Sequence, residues 1–243
     1  AMFFVTGNDK TGAKGKKLLE SWNNDGHKIA NHTFSHPDYN DTITTLADFK
    51  SELLKNDKVI SKYSNYVKFF RFPYLKEGNT TEKIDKFREF LKNQGYRNGY
   101  VTIDASDWYI DSRLVKRLRE NPLADISDFR EFYLNHMWER AQFYEKLSLE
   151  VNGRHISHSL LLHHNLAAAL FIDDLIEMFK DKGWEIVSAT KAYEDPVYKT
   201  ETNFAGEGLI YAQAKDSGKY DDVLRYPAED SRYEKEKMDE LGL

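Results

Sequence analysis

Apolar residues in the first hundred positions fall into short runs separated by longer, mixed segments. The runs lie in residues 1–7, 27–36, 66–74 and 97–108. Short apolar runs bounded by turn residues are typical of buried strands. The pattern therefore predicts four strands, the third of which ends at Pro73 because proline cannot continue a central strand.

The segments between these runs have apolar residues at helical spacing. In residues 12–26, for example, Leu18, Leu19 and Trp22 fall on one side of a helix. Residues 44–64 and 80–95 show the same spacing. Strands and helices that alternate in this way predict a parallel α/β sheet or barrel, a fold whose strand ends commonly carry the chemistry.

The second half of the chain breaks this alternation. Residues 109–153 have the pattern of two or more consecutive helices, which we interpret as a helical insertion. Residues 155–165 then predict a strand and residues 166–183 an amphipathic helix. Residues 184–193 predict a last strand and turn.

Length and composition narrow the class of protein. A chain of 243 residues suits one domain, residues 1–243, which here includes a charged tail over about 195–243 with two short predicted helices. The net charge of −5, from 35 basic and 40 acidic residues, gives no electrostatic basis for binding nucleic acid. The absence of cysteine excludes disulfides and thiolate metal sites. No apolar stretch suits a membrane-spanning helix, and the first residues do not have the pattern of a signal peptide.

Two histidines at the end of the second predicted strand are the first candidates for chemistry. His32 and His36 stand four residues apart in a polar stretch, and imidazoles at this spacing can approach one ion. The helical zinc-protease pattern needs glutamate directly after the first histidine, where this chain has Thr33. On spacing alone, two ordinary core or surface histidines remain the alternative.

Polar residues also follow the other predicted strands. Arg71 either pairs with a carboxylate or packs its stem while its guanidinium reaches solvent. Asp107 can orient a histidine, and Trp108 can stack on a sugar or lie in the core. His163 and His164 end an apolar strand, so that alternation turns at most one of them towards a shared pocket.

Taken in order, these residues resemble the motifs of one enzyme family. "HTFSH" at 32–36, "RFPY" at 71–74, "DASDW" at 104–108 and "LLH" at 161–163 are similar to the motifs of polysaccharide deacetylases, the NodB-homology domains of carbohydrate esterase family 4. The resemblance covers roughly residues 1–195. It implies an α/β fold, a distorted and incomplete (β/α) barrel. It also implies removal of acetyl groups from N- or O-acetylated polysaccharide with a divalent metal, usually zinc.

The resemblance assigns a role to each matching residue. His32 and His36 would be metal ligands, and Arg71 would orient a catalytic carboxylate. Pro73 and Tyr74 would shape the groove, with the backbone N–H of Tyr74 holding the oxyanion. Asp107 would pair with His163, the general acid, while Trp108 and Leu161 would line the acetyl pocket.

One motif of the family has no counterpart in this chain. Its Asp-Asp pair, which supplies the general base and a third metal ligand, normally precedes the strand at residues 1–7. Asp9 and Asp25 each stand alone, and Asp173 with Asp174 lies in a predicted surface helix. We therefore expect weak metal binding and impaired activity. An exposed sheet edge would also favour pairing with a second copy of the chain, a possible homo-oligomer.

Three functions are compatible with these patterns. The first is a metal-dependent deacetylase of an acetylated glycan, which would act outside the cytoplasm because its substrate lies there. The second is a non-catalytic relative that binds glycans through Trp108 and Tyr74. The third is a hydrolase of the same fold that acts on a small amide or cyclic imide. Zinc content separates the first from the second, and a substrate screen separates the first from the third.

Overall fold

The computed structural model of the chain describes residues 1–222, 224 and 230–243. Contacts within the chain define two compact units. The first comprises Ala1–Tyr100 and Tyr198–Glu207, and the second comprises Val101–Val197 and Gly208–Leu243. The predicted charged tail falls partly on residues 223 and 225–229, which lie outside the described residues.

The first unit is built on a parallel four-stranded sheet with the strand order β1-β2-β3-β4. Three helices separate the strands along the chain, as the alternating pattern predicts. The strands are β1 Met2–Val5, β2 Lys28–Asn31, β3 Tyr66–Phe70 and β4 Arg97–Asn98, and the helices are α1 Ala13–Asn24, α2 Leu46–Ile60 and α3 Thr81–Asn93. In the register of the sheet, Asn31 pairs with Val5 on one side and with Phe70 on the other. The carboxyl ends of these three strands therefore lie side by side.

Local sequence explains where α2 and α3 begin. Thr45 precedes α2 and forms a capping box with Asp48, in which each side chain bonds the other residue's backbone N–H. The hydroxyl of Thr80 accepts a hydrogen bond from the backbone N–H of Lys83 at the start of α3. These caps satisfy N–H groups that have no partner within the helix.

Two apolar clusters fill the first unit, and α2 contributes to both of them. The larger is mainly aromatic, and Phe49 of α2 stacks on Tyr39 there with ring centroids 4.0 Å apart. Its buried members are Tyr39, Phe49, Leu53, Phe70, Phe72, Phe87, Leu91 and Tyr96. The smaller comprises Val5, Leu19, Trp22, Ile29 and Ile60. Because α2 packs into both clusters, its position relative to the ends of the strands is tightly fixed.

The second unit is mostly helical. Its helices are α4 Asp107–Glu120, α5 Ser127–Asn152, α6 Leu166–Asp181, α7 Ala189–Ala192, α8 Leu209–Ser217 and α9 Arg232–Glu240. The first two occupy the predicted insertion, although α4 begins two residues before it. The C-terminal α9 docks on α5 through the ion pair of Arg140 and Glu234, which are 2.6 Å apart and buried. Among the described residues, no helix is both long and apolar enough to cross a membrane.

Three predicted strands are shorter than expected or absent. The strand predicted over 97–108 is reduced to β4, and the one over 155–165 to a single parallel bridge between Ile103 and Leu160. Residues 184–187, all described, lie in no strand, and α7 follows them. The reason is that Trp184 packs on Phe179, with ring centroids 5.4 Å apart, and so closes the end of α6. These apolar residues are used in helix packing and do not pair in a sheet.

A carboxylate bridge with two histidines ties the segment after α5 to that helix. Glu145 contacts Nδ1 of His155 and, at 2.7 Å, Nε2 of His158. Burial lowers the pKa of His158, against the opposing effect of Glu145. Burial alone would raise the pKa of Glu145, but hydrogen bonds from both histidines outweigh it and the pKa lies below its ordinary value.

The aromatic cluster predicts the effect of truncating its central ring. We expect Phe49→Ala to lower the free energy of unfolding by about 3–5 kcal/mol, because it removes a fully buried ring and leaves a cavity. Urea denaturation followed by circular dichroism measures this. The control is Ile43→Ala, at a side chain that is 80% exposed, which should change stability by less than about 0.5 kcal/mol. Equal effects of the two variants would contradict the assigned core.

The histidine bridge predicts a dependence of stability on pH. Both His158 and Glu145 bind protons less readily in the folded chain than in the unfolded chain, so stability is present at neutral pH and falls as pH falls. The loss should begin near the ordinary histidine pKa of about 6.5 and continue through that of glutamate, about 4.3. The slope between pH 7 and 5 should be shallower in His158→Gln, as measured by urea unfolding. An unchanged slope would contradict this account.

Candidate active site

The stretch 32–36 forms a tight loop directly after β2. His32 donates its backbone N–H to the carbonyl of Val5 at 3.1 Å, which continues the sheet by one residue. The chain then turns sharply, because Thr33 and His36 have φ angles of 65° and 61°. A positive φ is uncommon for residues with a side chain and occurs where the surrounding structure enforces it. The loop is therefore held in a strained shape.

This shape brings the two predicted ligands together. The Nε2 atoms of His32 and His36 are 3.2 Å apart. Nδ1 of His32 lies 2.8 Å from the carbonyl oxygen of Arg71, and a carbonyl only accepts, so the proton of His32 is on Nδ1. The Nε2 lone pair of His32 then points at His36. Ligand histidines characteristically have their second ring nitrogen bound in this way.

The Nε2 atoms of His32 and His36 are spaced as two of the ligands of a divalent metal would be. Two nitrogens at about 2.05 Å from a tetrahedral zinc would be roughly 3.3 Å apart, which is close to the observed separation. Within the described part of the chain, no group of three or more histidine, aspartate or glutamate side chains could hold a metal ion. The two histidines thus supply two coordination positions, and the described residues supply no third histidine, aspartate or glutamate ligand beside them.

The residues of the RFPY motif lie against the same loop. Nε of Arg71 donates to the carbonyl of Gly99 at 2.9 Å, and its guanidinium stacks over Phe4 at 3.9 Å. Tyr74 has a φ of 55°, and its ring meets that of His36 edge-on with centroids 4.6 Å apart. Pro73 is buried and begins the turn. His32, His36, Arg71, Pro73 and Tyr74 are therefore brought together in the first unit.

The second unit contains an aspartate–histidine pair. Asp107, the first residue of α4, is fully buried, and its Oδ1 lies 2.6 Å from Nδ1 of His163. Its Oδ2 accepts from the backbone N–H of His163 at 2.8 Å and from Nδ2 of Asn165 at 3.1 Å. A carboxylate that is fixed in this way holds the imidazole with its proton on Nδ1 and stabilises the imidazolium form.

Two further residues with predicted roles in this unit, Leu161 and Trp108, lie close to His163 and Asp107 in the sequence. Leu161 donates its backbone N–H to the carbonyl of Ile103 at 3.0 Å, and Trp108 follows Asp107 with 38% of its side chain exposed. His163 and His164 are both exposed. The reason is that residues 162–164 turn towards the start of α6 and do not continue a strand.

Several polar residues of the site were missed by sequence reasoning. Asn165 caps α6 through a 2.8 Å bond from the backbone N–H of Ala168 and also binds Asp107. A helix start signal, asparagine just before an apolar run, could have found it. Glu52 of α2 contacts the loop at residues 32–36, and Asn56 of α2 bonds Asn31 directly before that loop. No local pattern marks either residue, because these partners lie 17 and 25 residues away in the sequence.

Comparisons with known proteins agree with this arrangement of motifs. Residues 1–98 match the sequence profile of the family described as polysaccharide deacetylase. A peptidoglycan-N-acetylglucosamine deacetylase of Bacillus cereus is 26% identical over 109 residues, which are 44% of this chain and 36% of the relative. The predicted resemblance to polysaccharide deacetylases is confirmed. The matched residues include His32, His36 and Arg71.

Solved structures of carbohydrate esterase family 4 share the fold of this chain. A family 4 pseudoenzyme from Bacillus anthracis aligns over 79% of this chain and 54% of its own, with a TM-score of 0.52 and 17% identity. A peptidoglycan deacetylase from Bacillus subtilis aligns over 80% of this chain and 76% of its own, with a TM-score of 0.52 and 19% identity. This likeness confirms the predicted α/β fold class of the deacetylases.

These relatives differ from the chain in length. The chain spans about a third of the Bacillus cereus relative, 36%, and about half of the Bacillus anthracis pseudoenzyme, 54%. At 17–19% identity the solved structures of deacetylases carry information on the fold alone.

The buried aspartate predicts the effect of removing its charge. In Asp107→Asn, the amide nitrogen must face hydrogen-bond donors that the carboxylate now accepts from. We expect the free energy of unfolding to fall by about 1–3 kcal/mol, as measured by urea denaturation. Asp173→Asn, on the exposed side of α6, is the matched control and should have little effect. A variant as stable as the control would contradict the proposed bonding of Asp107.

Proposed function

We propose that this chain is part of a metal-dependent hydrolase that removes acetyl groups from N- or O-acetylated polysaccharide. The observation that carries the proposal is the 3.2 Å approach of the two Nε2 atoms, with His32 oriented by the carbonyl of Arg71. Both histidines lie within the residues that match the deacetylase family. The name of the Bacillus cereus relative supports an N-acetylated cell-wall glycan as the substrate class.

His32 and His36 would hold the metal, for which zinc is the best fit to two imidazole nitrogens. Such an ion, when bound, polarises a carbonyl and lowers the pKa of a coordinated water. The described part of the chain offers no group of three ligands, so we propose that these residues alone bind zinc weakly. Slow turnover by the 243-residue chain on its own follows from that weakness.

The chain's own residues would carry some of the remaining steps of acetyl transfer to water. The backbone N–H of Tyr74 would donate to the oxyanion, and its positive φ fixes the direction of that backbone segment. Arg71 would orient a catalytic carboxylate. His163, held by Asp107, would give a proton to the departing amine or alcohol. Trp108 and Leu161 would contact the acetyl group, and Pro73 would shape the groove.

A non-catalytic role in glycan binding is the second candidate function. Tyr74 is 44% exposed and Trp108 38% exposed, and exposed aromatic rings of this kind can stack on sugars. This role would need neither a metal nor turnover. In either role the partner is a glycan, and we propose a site of action outside the cytoplasm, where cell-wall glycans lie.

The decisive experiment combines a zinc titration with a deacetylase assay on N-acetylated chito-oligomers. We expect zinc binding that His36→Ala abolishes, together with slow, zinc-dependent release of acetate. Trp22→Phe, in the smaller apolar cluster, controls for a general loss of stability and should bind zinc with the affinity of the wild-type chain. Turnover in the ordinary enzyme range of about 1–1,000 s⁻¹ would contradict the weakened site. Glycan binding without zinc binding would favour the second candidate.

A further inference from the structure

The histidine loop rests on a set of polar side chains that is closed off from solvent. Asn31, Thr33 and Asn56 are each 0% exposed. Buried polar groups cost stability unless they are hydrogen-bonded, so their bonds define what holds the loop. Asn31 is the last residue of β2, Thr33 lies in the loop that follows, and Asn56 belongs to α2.

Asn31 supports the turn that follows it. Its Oδ1 accepts from the backbone N–H of Thr33 at 3.0 Å, and its Nδ2 donates to the carbonyl of Leu53 at 3.0 Å. The hydroxyl of Thr33 in turn accepts from the backbone N–H of His36 at 3.0 Å. Asn31 therefore connects α2 to both of the residues with positive φ in this loop.

The side-chain amide nitrogen of Asn56 donates two hydrogen bonds. Nδ2 donates to Oδ1 of Asn31 at 2.9 Å and to the carbonyl of Val5 at 2.7 Å. Its Oδ1 is buried and, within the described part of the chain, accepts no hydrogen bond. A Cβ at Gly7 would lie 2.4 Å from this oxygen, so glycine at that position makes room for Asn56. The amide thus joins the end of β1 to the side chain at the end of β2.

Glu52 and Lys55 of α2 contact the tip of the same loop. Oε2 of Glu52 accepts from the backbone N–H of Ser35 at 2.6 Å, and Nζ of Lys55 lies 3.6 Å from the centroid of the Phe34 ring. Positions 52, 55 and 56 share one side of a helix because they are three and four residues apart. One face of α2 therefore contacts the loop from Asn31 to Ser35.

We propose that Asn56 and Glu52 are positioning residues for the metal-binding pair, because together they hold the loop in the strained shape that brings His32 and His36 within reach of one ion. The proposal rests on the proposed function in that it assumes these histidines bind a divalent metal. Without Asn56, Oδ1 of Asn31 loses one of its two hydrogen-bond donors, the other being the backbone N–H of Thr33. Thr33 then relaxes from positive φ, and His36 moves away from His32.

The test compares four variants with the wild-type chain. Asn56→Ala removes the double donor, Glu52→Leu removes the acceptor for Ser35, and Glu52→Gln retains an acceptor oxygen. Ile60→Ala, at a fully buried apolar residue of α2, controls for a general loss of stability. Isothermal titration with Co²⁺ and Zn²⁺ gives the dissociation constant. Amide hydrogen exchange of Thr33 and Ser35 in the metal-free chain reports whether the hydrogen bonds of these two loop amides are kept.

For Asn56→Ala we expect a dissociation constant about 10- to 100-fold higher, the range typical when residues that orient metal ligands are lost. Faster exchange at Thr33 should accompany it. Glu52→Leu should speed exchange at Ser35, and Glu52→Gln should restore it. Ile60→Ala should leave the dissociation constant and exchange at both amides unchanged.

Wild-type affinity and wild-type exchange in both Asn56→Ala and Glu52→Leu would overturn the inference. If the wild-type chain binds no metal, the proposed function fails, while exchange at Thr33 and Ser35 still decides whether α2 positions the loop. If Asn56→Ala does not fold, the Glu52 pair decides the question, because Glu52 is partly exposed and its replacement leaves the core intact.

Discussion

The link between the ends of β2 and β3 is the constraint on which the candidate site depends. Arg71 donates its backbone N–H to the carbonyl of Asn31 at 3.0 Å and accepts Nδ1–H of His32 at 2.8 Å with its own carbonyl. One residue therefore both continues the sheet and sets the tautomer of the first metal ligand. The same register aligns the strand ends from which the HTFSH and RFPY motifs begin.

The loop between these strands illustrates how a fold maintains unfavourable backbone geometry. Thr33 and His36 in this loop, and Tyr74 in the turn after β3, all have positive φ, a conformation that costs of order 1–3 kcal/mol where the surroundings must impose it. Buried amide bonds from α2 and the edge-on contact of Tyr74 with His36 oppose that cost. The strained backbone holds His32 and His36 in position before a metal binds, which suits a preorganised metal site.

Sequence reasoning found the elements whose pattern is local and missed those whose partners are distant. Strands β1 to β3 and helices α1 to α3 follow from the spacing of apolar residues. The strand expected at 184–193 is absent from these described residues because Trp184 packs on α6, which no periodicity reveals. His32, His36 and Arg71 were assigned roles through the resemblance of their motifs to those of the polysaccharide deacetylases. Asn56 has no such signal, since its bond to Asn31 spans 25 residues.

The central claim is that His32 and His36 converge through their Nε2 atoms, with His32 protonated on Nδ1. Long-range ¹H–¹⁵N NMR of the imidazole rings, recorded while zinc is added, tests it most directly. The account predicts an Nδ1–H tautomer for His32 before zinc is added, and a shift of the Nε2 resonances of both rings on binding. Coordination through Nδ1, or a response from only one of the two rings, would contradict it.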